Sequence, residues 1–284
     1  MILPALPTPM DASGRPDWGA YQEVMDRLSP LVDGFLLFGS NGEAPLLAPD
    51  ERREGLRRLR PPKPFLVGVG DESTALALSH QEAARDAGAL AGLAYLPRFF
   101  HGLLDEAAAL GYFEALARVH PLFLYHVPSL TRTELPLAWV KRAAEIPGVV
   151  GIKDSSGEVG RIAYYEAEGL GLRVFVGSGV VFLASLCAGA EGGILAAANL
   201  VPGLLRRIEE AYRAGRVEEA RALQRRLDPV ARLLGRGGVV LLKQAMRHRG
   251  LPVGRPRHPL PEASPLLPEL LEKLELACQD GGCV

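Results

Sequence analysis

The chain has 284 residues, of which 48% are hydrophobic and 23% are charged, and its formal net charge is -1 at pH 7. This length accommodates one large α/β domain or two smaller ones, and the hydrophobic content supports a sizeable core. The balanced charge argues against nucleic acid as a partner, because phosphate-binding surfaces carry a basic excess.

The sequence also indicates a compartment. No apolar run is long enough to cross a bilayer, and the N-terminus lacks the basic start and apolar core of a signal peptide. The three cysteines, Cys187, Cys278 and Cys283, have no metal-type spacing and are odd in number. They predict a reducing compartment without a disulfide framework. We therefore expect a cytoplasmic protein with no membrane partner.

Short apolar runs alternate with longer amphipathic runs over most of the chain. The predicted strands are residues 2–6, 34–38, 65–69, 92–96, 122–126, 149–153, 173–177 and 192–196, and the predicted helices are 17–31, 49–59, 73–87, 105–119, 136–146, 159–168 and 180–187. Strands that alternate with helices indicate a parallel sheet. An open doubly wound sheet also accommodates these units, but their even spacing favours a closed (β/α)8 TIM barrel. No dinucleotide-binding glycine fingerprint follows the first strand.

From about residue 215 the pattern changes to helices alone, at residues 217–233, 239–249 and 265–276. We predict a barrel over residues 1–214 that carries the active site, followed by a C-terminal helical extension over residues 215–284. The apolar faces of the extension must pack against the barrel or another subunit.

Lys153 ends the apolar strand-like run at residues 149–153, unlike the other four lysines of the chain. Burying an ammonium group is costly, so such a lysine either has a partner or gives up its proton. A neutral lysine is a nucleophile that forms a Schiff base with a carbonyl substrate. The alternative is a lysine that extends towards solvent and pairs with a carboxylate such as Asp154.

Other polar residues follow the ends of the predicted strands, where a barrel has its active site. The turn at residues 39–43 offers hydroxyl, amide and backbone N–H donors to a carboxylate or phosphate, or is an ordinary loop. Tyr125, near the end of the fifth strand, can donate and accept protons. The turn at residues 177–179 makes space beside the lysine. His126 points to the opposite face from Tyr125 and packs or caps. With no second histidine or carboxylate at ligand spacing, we predict no catalytic metal, and we expect no cofactor.

Three motifs at these strand ends resemble a known family. GSNGE at residues 39–43, YHVPS at 125–129 and GIKDS at 151–155, with TPM at 8–10 and the helical tail, are similar to the dihydrodipicolinate synthase and N-acetylneuraminate lyase family of Schiff-base aldolases. The resemblance covers nearly the whole chain. It implies a (β/α)8 barrel, a homotetramer, and a lysine that forms an imine with a small 2-oxo acid, usually pyruvate.

The resemblance also implies roles for individual residues. Lys153 matches the imine-forming lysine, and Tyr125 matches the tyrosine that relays protons. Ser40 and Asn41 match the pair that holds the pyruvyl carboxylate, and Ile194 matches a residue whose backbone lines the pyruvate pocket.

The motifs are most similar to the 4-hydroxy-2-oxoglutarate aldolase branch, which releases pyruvate and glyoxylate and in which Ser155 is an extra polar contact. Two positions depart from the lysine-biosynthesis synthase. Phe99 stands where the synthase has a tyrosine from the neighbouring subunit that completes a hydroxyl relay, and the 4-hydroxy-2-oxoglutarate aldolase branch normally has a tyrosine there too. Leu130 stands where the synthase has an arginine that binds the carboxylate of the aldehyde substrate. Arg98, His101 and Arg132 are candidates for the missing charge.

Three functions follow from these residues. The first is a pyruvate-dependent class I aldolase that acts on a 2-oxo-4-hydroxy acid. The second is 4-hydroxy-tetrahydrodipicolinate synthase, which condenses pyruvate with aspartate semialdehyde. The third, prompted by Phe99 and Leu130, is a non-catalytic protein that binds a 2-oxo acid.

Overall fold

The computed structural model describes residues 1–278 and contains one eight-stranded parallel sheet. Its strands are β1 (Ile2–Pro4), β2 (Phe35–Leu37), β3 (Phe65–Gly68), β4 (Ala91–Ala94), β5 (Leu122–His126), β6 (Val149–Asp154), β7 (Arg173–Val176) and β8 (Gly192–Leu195). Each strand pairs with its neighbours in sequence, and β1 pairs with β8. A parallel bridge between Ala5 and Leu36 links β1 to β2 and closes the ring. The predicted (β/α)8 barrel is confirmed.

Helices surround the barrel and follow the strands in turn. They are α1 (Trp18–Leu28), α2 (Pro49–Arg58), α3 (Thr74–Asp86), α4 (Glu106–Ala117), α5 (Pro128–Thr131), α6 (Leu137–Ala144), α7 (Val159–Ala167), α8 (Phe182–Cys187), α9 (Pro202–Arg213), α10 (Val217–His248) and α11 (Leu267–Ala277). Asp17 and Asp105 cap α1 and α4 by accepting hydrogen bonds from the backbone N–H groups of Ala20 and Ala108. These caps stop the first turns from fraying, and both helices begin one residue after the predicted start.

Two apolar cores result from the alternation of side chains along each strand. Inward-facing residues such as Leu36, Phe123 and Phe175 fill the barrel, and outward-facing residues pack beneath the helices. A fully buried leucine or phenylalanine contributes about 2 kcal/mol through its removal from water. Phe123 takes so much of the interior that a Cβ atom on Gly151 would lie 2.2 Å from its ring. The same alternation turns Lys153 inward and Asp154 outward.

The C-terminal extension crosses one end of the barrel. The two helices predicted at residues 217–233 and 239–249 are one element, α10, interrupted where Gly238 adopts φ 57° and ψ -152°. A residue with a Cβ atom rarely adopts this conformation, so glycine permits the kink. Leu227, Leu241 and Met246 of α10 are fully buried, so the apolar face of the extension is covered, as the amphipathic pattern requires. The division between residues 214 and 215 stays a prediction.

The prediction of no disulfide is wrong for Cys278, which is disulfide-bonded, whereas Cys187 is a free cysteine. Cys283 lies outside the described residues. Among residues 1–278, none of the helices combines the length and the apolar composition needed to span a bilayer.

Candidate active site

Lys153 and Tyr125 meet inside the barrel near the carboxyl ends of β5 and β6. The two residues are direct partners in the register of these adjacent strands. The Lys153 Nζ donates to the Tyr125 hydroxyl at 3.4 Å and lies 4.4 Å from the centre of its ring. Both side chains are buried, with 3% and 6% of their surfaces exposed. The amine therefore points into the barrel and does not extend to solvent.

The environment of Tyr125 lowers the pKa of its phenol. Burial raises the pKa of the phenol, but the positive charge of Lys153 and hydrogen bonds from Ser40 and Ser155 together lower the pKa below its ordinary value. A phenol with a lowered pKa releases and recovers a proton more readily near neutral pH. The pair can thus exchange a proton at the amine.

Asp154 is not the partner of Lys153, so the alternative of a solvent-directed ion pair is wrong. The Asp154 Oδ2 accepts hydrogen bonds from Arg161 Nε at 2.9 Å and from the Tyr165 hydroxyl at 2.8 Å. His126 Nδ1 lies 3.3 Å from the same oxygen, as expected for a histidine that packs outside the barrel. Among the residues that the structure describes, no carboxylate lies within ion-pair distance of Lys153. The Asp154 network fixes the end of β6 from behind the sheet.

We expect Asp154→Asn to destabilise the fold at pH 7 by about 3–5 kcal/mol, because it leaves the buried Arg161 without its counter-charge. Burial raises the pKa of Asp154, but hydrogen bonds from His126 and Ser156 lower it well below its ordinary value of 3.8. A carboxyl with a lowered folded pKa stabilises above its unfolded pKa and loses this contribution as pH falls through the folded pKa. The difference in free energy of unfolding between the native protein and Asp154→Asn, measured in urea, should therefore narrow below about pH 4. Asp86→Asn, at an exposed carboxylate beside Arg85, is the control and should change stability by less than about 0.5 kcal/mol. An equal effect of Asp154→Asn at pH 3 and pH 7 would contradict this account.

The absence of a side chain at Gly177 leaves space for the side chains of Lys153 and Ser155. A Cβ atom at residue 177 would lie 1.8 Å from the Ser155 Oγ and 3.1 Å from the Lys153 Cε. No other residue type fits without moving these side chains. The prediction that this turn makes space beside the lysine is confirmed.

The turn after β2 brings Ser40 and Asn41 to the same site. The Ser40 Oγ lies 3.3 Å from the Tyr125 hydroxyl, and the Asn41 Nδ2 donates to the Ala5 carbonyl at 3.4 Å. Phe38, just before the turn, and Glu43, its last residue, have φ values of 52° and 54°. Left-handed backbone at two non-glycine residues is strained, and it persists here because surrounding contacts hold the turn.

A cavity of about 230 Å³, here called the inner chamber, connects these groups. Its lining residues include Ser40, Asn41, Tyr125, Lys153, Ser155 and Ile194. Ile194 lies in β8 and is fully buried. The six residues that the sequence analysis linked to imine formation, proton relay and 2-oxo acid binding therefore surround one space, which is large enough for a three-carbon acid beside the lysine.

A second cavity of about 490 Å³, here called the outer chamber, adjoins the first. Ser40, Asn41, Tyr125 and Leu130 line both chambers, as do Gly235 and Gly238 of the α10 kink. The extension thus forms part of the wall, which the amphipathic pattern of the tail did not indicate.

Only some of the charged candidates line the outer chamber. Arg98 lines the chamber and pairs with Glu72 at 3.2 Å, and Arg236, which the sequence analysis missed, also lines it. Arg132 is exposed and is not among the residues lining either chamber. The side chain of His101 lies outside the described part of the chain. A glycine-flanked arginine beside a helix break was the signal that could have identified Arg236.

Phe99 is directed away from the chambers of its own chain. It is 78% exposed, packs edge-on against Phe100 at 5.0 Å between ring centres, and is held by a backbone hydrogen bond to Glu72. Phe100 and Leu103 beside it are 59% and 80% exposed. This apolar cluster lies on the outside of the protomer.

Within residues 1–278 no group of three or more histidine, cysteine, aspartate or glutamate side chains is arranged to hold a metal ion. The functional groups that face the inner chamber are an amine, a phenol, hydroxyls and an amide. These groups suit covalent catalysis through an amine with proton transfer to and from a phenol.

A buried lysine beside a tyrosine in a (β/α)8 barrel is the arrangement of a class I, Schiff-base lyase. The model of the Dihydrodipicolinate synthetase family matches residues 1–274, and the chain belongs to this family. Its members are class I lyases and aldolases, so this protein is an enzyme of that class, and the non-catalytic alternative is set aside.

Named relatives extend the match over whole chains. A 4-hydroxy-tetrahydrodipicolinate synthase of Ralstonia nicotianae is 28% identical over 99% of this chain and 97% of its own. The crystal structure of a putative dihydrodipicolinate synthase from Thermus thermophilus has a TM-score of 0.96 and 51% identity, with both chains fully covered. That of YagE, a prophage protein of the dihydrodipicolinic acid synthase family from E. coli K12 in complex with pyruvate, has a TM-score of 0.85 and 28% identity, covering 97% and 98% of the two chains.

Proposed function

We propose that this protein is a pyruvate-dependent aldolase that cleaves a 2-oxo-4-hydroxy acid, with 4-hydroxy-2-oxoglutarate as the substrate and pyruvate and glyoxylate as the products. The observation that carries the proposal is the buried Lys153 amine, 3.4 Å from the Tyr125 hydroxyl and without a carboxylate partner among the described residues. An amine in this setting is free to attack a ketone. The solved complex of YagE with pyruvate supports pyruvate as the 2-oxo acid.

The chemistry follows from the two groups. The Lys153 amine adds to the C2 carbonyl of the substrate, and loss of water gives a protonated imine. The Tyr125 phenolate removes the proton of the 4-hydroxyl group, the C3–C4 bond breaks, and its electrons move into the imine. This step releases the aldehyde and leaves an enamine. Tyr125 returns the proton to C3, and water then hydrolyses the imine to release pyruvate and the amine.

The surrounding residues position the substrate in this proposal. Ser40 and Asn41, with the N–H groups of their turn, bind the carboxylate next to the ketone. Ser155 adds a polar contact beside the lysine, and the backbone at Ile194 lines the opposite wall. All four residues border the inner chamber with Lys153, which supports these assignments.

The choice of aldehyde depends on the outer chamber. Leu130 lines both chambers at the position where the resemblance expects the arginine that binds aspartate semialdehyde, and this favours the aldolase over the synthase. The second carboxylate of 4-hydroxy-2-oxoglutarate has two arginines, Arg98 and Arg236, among the residues that line its side of the site. The synthase remains the second candidate because named relatives such as that of Ralstonia nicotianae carry this activity in their names.

Side-by-side assays test the proposal. We expect pyruvate release from 4-hydroxy-2-oxoglutarate to have a higher kcat/KM than condensation of pyruvate with aspartate semialdehyde, by at least about tenfold, because Leu130 replaces the arginine that the resemblance expects to bind the semialdehyde carboxylate. Lys153→Ala is the control for both assays, since both reactions need the imine. Faster turnover of aspartate semialdehyde would overturn the aldolase assignment and leave the synthase. Pyruvate release from a panel of other 2-oxo-4-hydroxy acids would show which of them the enzyme prefers.

We also propose that the protein is a homotetramer, as the resemblance implies. The exposed cluster of Phe99, Phe100 and Leu103 supports a subunit contact, because soluble proteins rarely leave neighbouring large apolar side chains this exposed. Sedimentation velocity measures the assembly directly, and a monomer at micromolar concentration would contradict it.

A further inference from the structure

A second buried lysine lies behind the turn that carries Ser40 and Asn41. Lys243, on α10 beyond the kink, is fully buried, and Glu43, the last residue of the turn, is 2% exposed. The Lys243 ammonium pairs with the Glu43 carboxylate. Lys243 is one of the four lysines that do not end an apolar strand-like run, so its position in the sequence did not single it out.

The pair has further contacts on both sides. The Lys243 Nζ also donates to the Arg255 carbonyl at 3.0 Å, and the second oxygen of Glu43 accepts the backbone N–H of Arg257 at 2.6 Å. Glu43 is therefore bound to two separate segments of the extension. A carboxylate that accepts hydrogen bonds from several directions has little freedom to move.

Glu43 in turn constrains the backbone of the turn. Its left-handed conformation closes a hydrogen bond from its own N–H to the Ser40 carbonyl at 3.1 Å. The adjacent Gly42 carbonyl accepts a hydrogen bond from Thr8 Oγ1 at 2.7 Å, and a Cβ atom at Gly42 would lie 2.9 Å from the Phe38 Cα. The position of Ser40 is thus mechanically linked to the carboxylate that Lys243 holds.

We propose that the Glu43–Lys243 ion pair is a positioning device for the carboxylate of the 2-oxo acid, through which the C-terminal extension sets the turn that carries Ser40 and Asn41. The inference rests on the proposed function, because it assumes that this turn binds that carboxylate. Neither residue touches the substrate. The pair acts by holding the donors of the turn in place before the substrate arrives.

Charge gives the pair a second effect. Glu43 borders the outer chamber, close to the turn where a substrate carboxylate would bind. An unpaired anion there would repel that carboxylate, and in a poorly hydrated site the repulsion would be strong. Lys243, which is not among the residues that line either chamber, neutralises this charge.

Borohydride reduction of the imine tests the proposal, with pyruvate and methyl pyruvate as probes that share the same ketone, each compared between the native protein and the variant. The ester lacks the charge that the turn binds. In the double variant Glu43→Gln/Lys243→Met, which leaves no unpaired buried charge, we expect half-saturation of the Lys153 adduct to need about 10–100 times more pyruvate. Half-saturation by methyl pyruvate should change by less than about threefold, and the maximal adduct should be retained, because Lys153 is untouched.

Two single variants sharpen the test. Lys243→Met should weaken pyruvate binding more than the double variant does, because it leaves Glu43 unpaired. Lys243→Arg keeps the charge and should restore most of the preference for pyruvate over its ester. If Lys243→Met does not fold, the double variant and Lys243→Arg still decide the question.

Arg206→Met is the matched control. It removes an ion pair with Asp33 of 2.7 Å, at the opposite end of the barrel, and should destabilise the protein without changing the preference for pyruvate. An unchanged preference in the folded double variant would overturn the positioning role while leaving the proposed function intact. The absence of any adduct in the native protein would contradict both.

Discussion

Lys153→Ala is expected to abolish the pyruvate adduct and to lower kcat by at least ~10⁴-fold, because this amine is the nucleophile of the proposed reaction. The native protein, incubated with pyruvate and borohydride, should gain the mass of a reduced pyruvyl group on the peptide that contains Lys153. The structure makes the assignment specific, since Lys243 is held by Glu43 and only Lys153 among the five lysines lines a chamber.

Lys141→Ala is the control for that experiment. Lys141 is a half-exposed lysine on α6 that pairs with Glu168 at 2.5 Å. Its replacement should leave both the adduct and the turnover unchanged. An adduct on Lys153→Ala at saturating pyruvate would mean that another amine carries the chemistry, and the assignment of the site would then be wrong.

Tyr125→Phe is expected to lower turnover by about 10²–10⁴-fold while leaving imine formation slow but detectable. The variant keeps the ring against Lys153 and removes only the hydroxyl, which lies 3.4 Å from the amine and 3.3 Å from the Ser40 Oγ. Rapid-quench trapping with borohydride separates the rate of imine formation from the rate of product release.

The pH profile supplies an independent measurement of the same role. The reaction needs the deprotonated phenol as its base, so the rate of the native protein should rise with pH as Tyr125 ionises. Because the pKa of Tyr125 is lowered, this rise should occur at a lower pH than for an ordinary tyrosine. Tyr125→Phe should lose this limb. Tyr112→Phe, which removes a hydroxyl that contacts the backbone of Asp71, should keep both the limb and the rate. A native-like profile in Tyr125→Phe would exclude the phenol as the proton relay.

Local patterns determined much of this architecture. The periods of strands and helices are read within a few residues, and every predicted strand overlaps an observed one. Lys153 was identified because an apolar run ends in a charge, and Tyr125 because a phenol lies at the end of another strand. The right-handed connections of alternating strands and helices then bring both residues to one end of a barrel.

The contacts that the sequence did not predict share one cause. The amphipathic pattern of α10 gives no sign that Lys243 is buried in an ion pair. Its partner, Glu43, lies 200 residues earlier in the chain. Asp154 is next to Lys153 in sequence but faces the opposite side of the sheet, where Arg161 binds it. Adjacent residues in a strand point to opposite faces, so closeness in sequence was misleading there.

The sequence by itself determined the fold class, and it selected the proposed nucleophile and the polar residues that lie around it, because these follow from side-chain periodicity and from the order of strands. Only the tertiary structure decided which charges are paired, where the kink at Gly238 lies against the chambers, and that the extension reaches the turn at residues 39–43. Ion pairs and chamber walls join segments that are distant in the chain, and the free energy of such contacts depends on burial and distance, which a linear pattern does not contain.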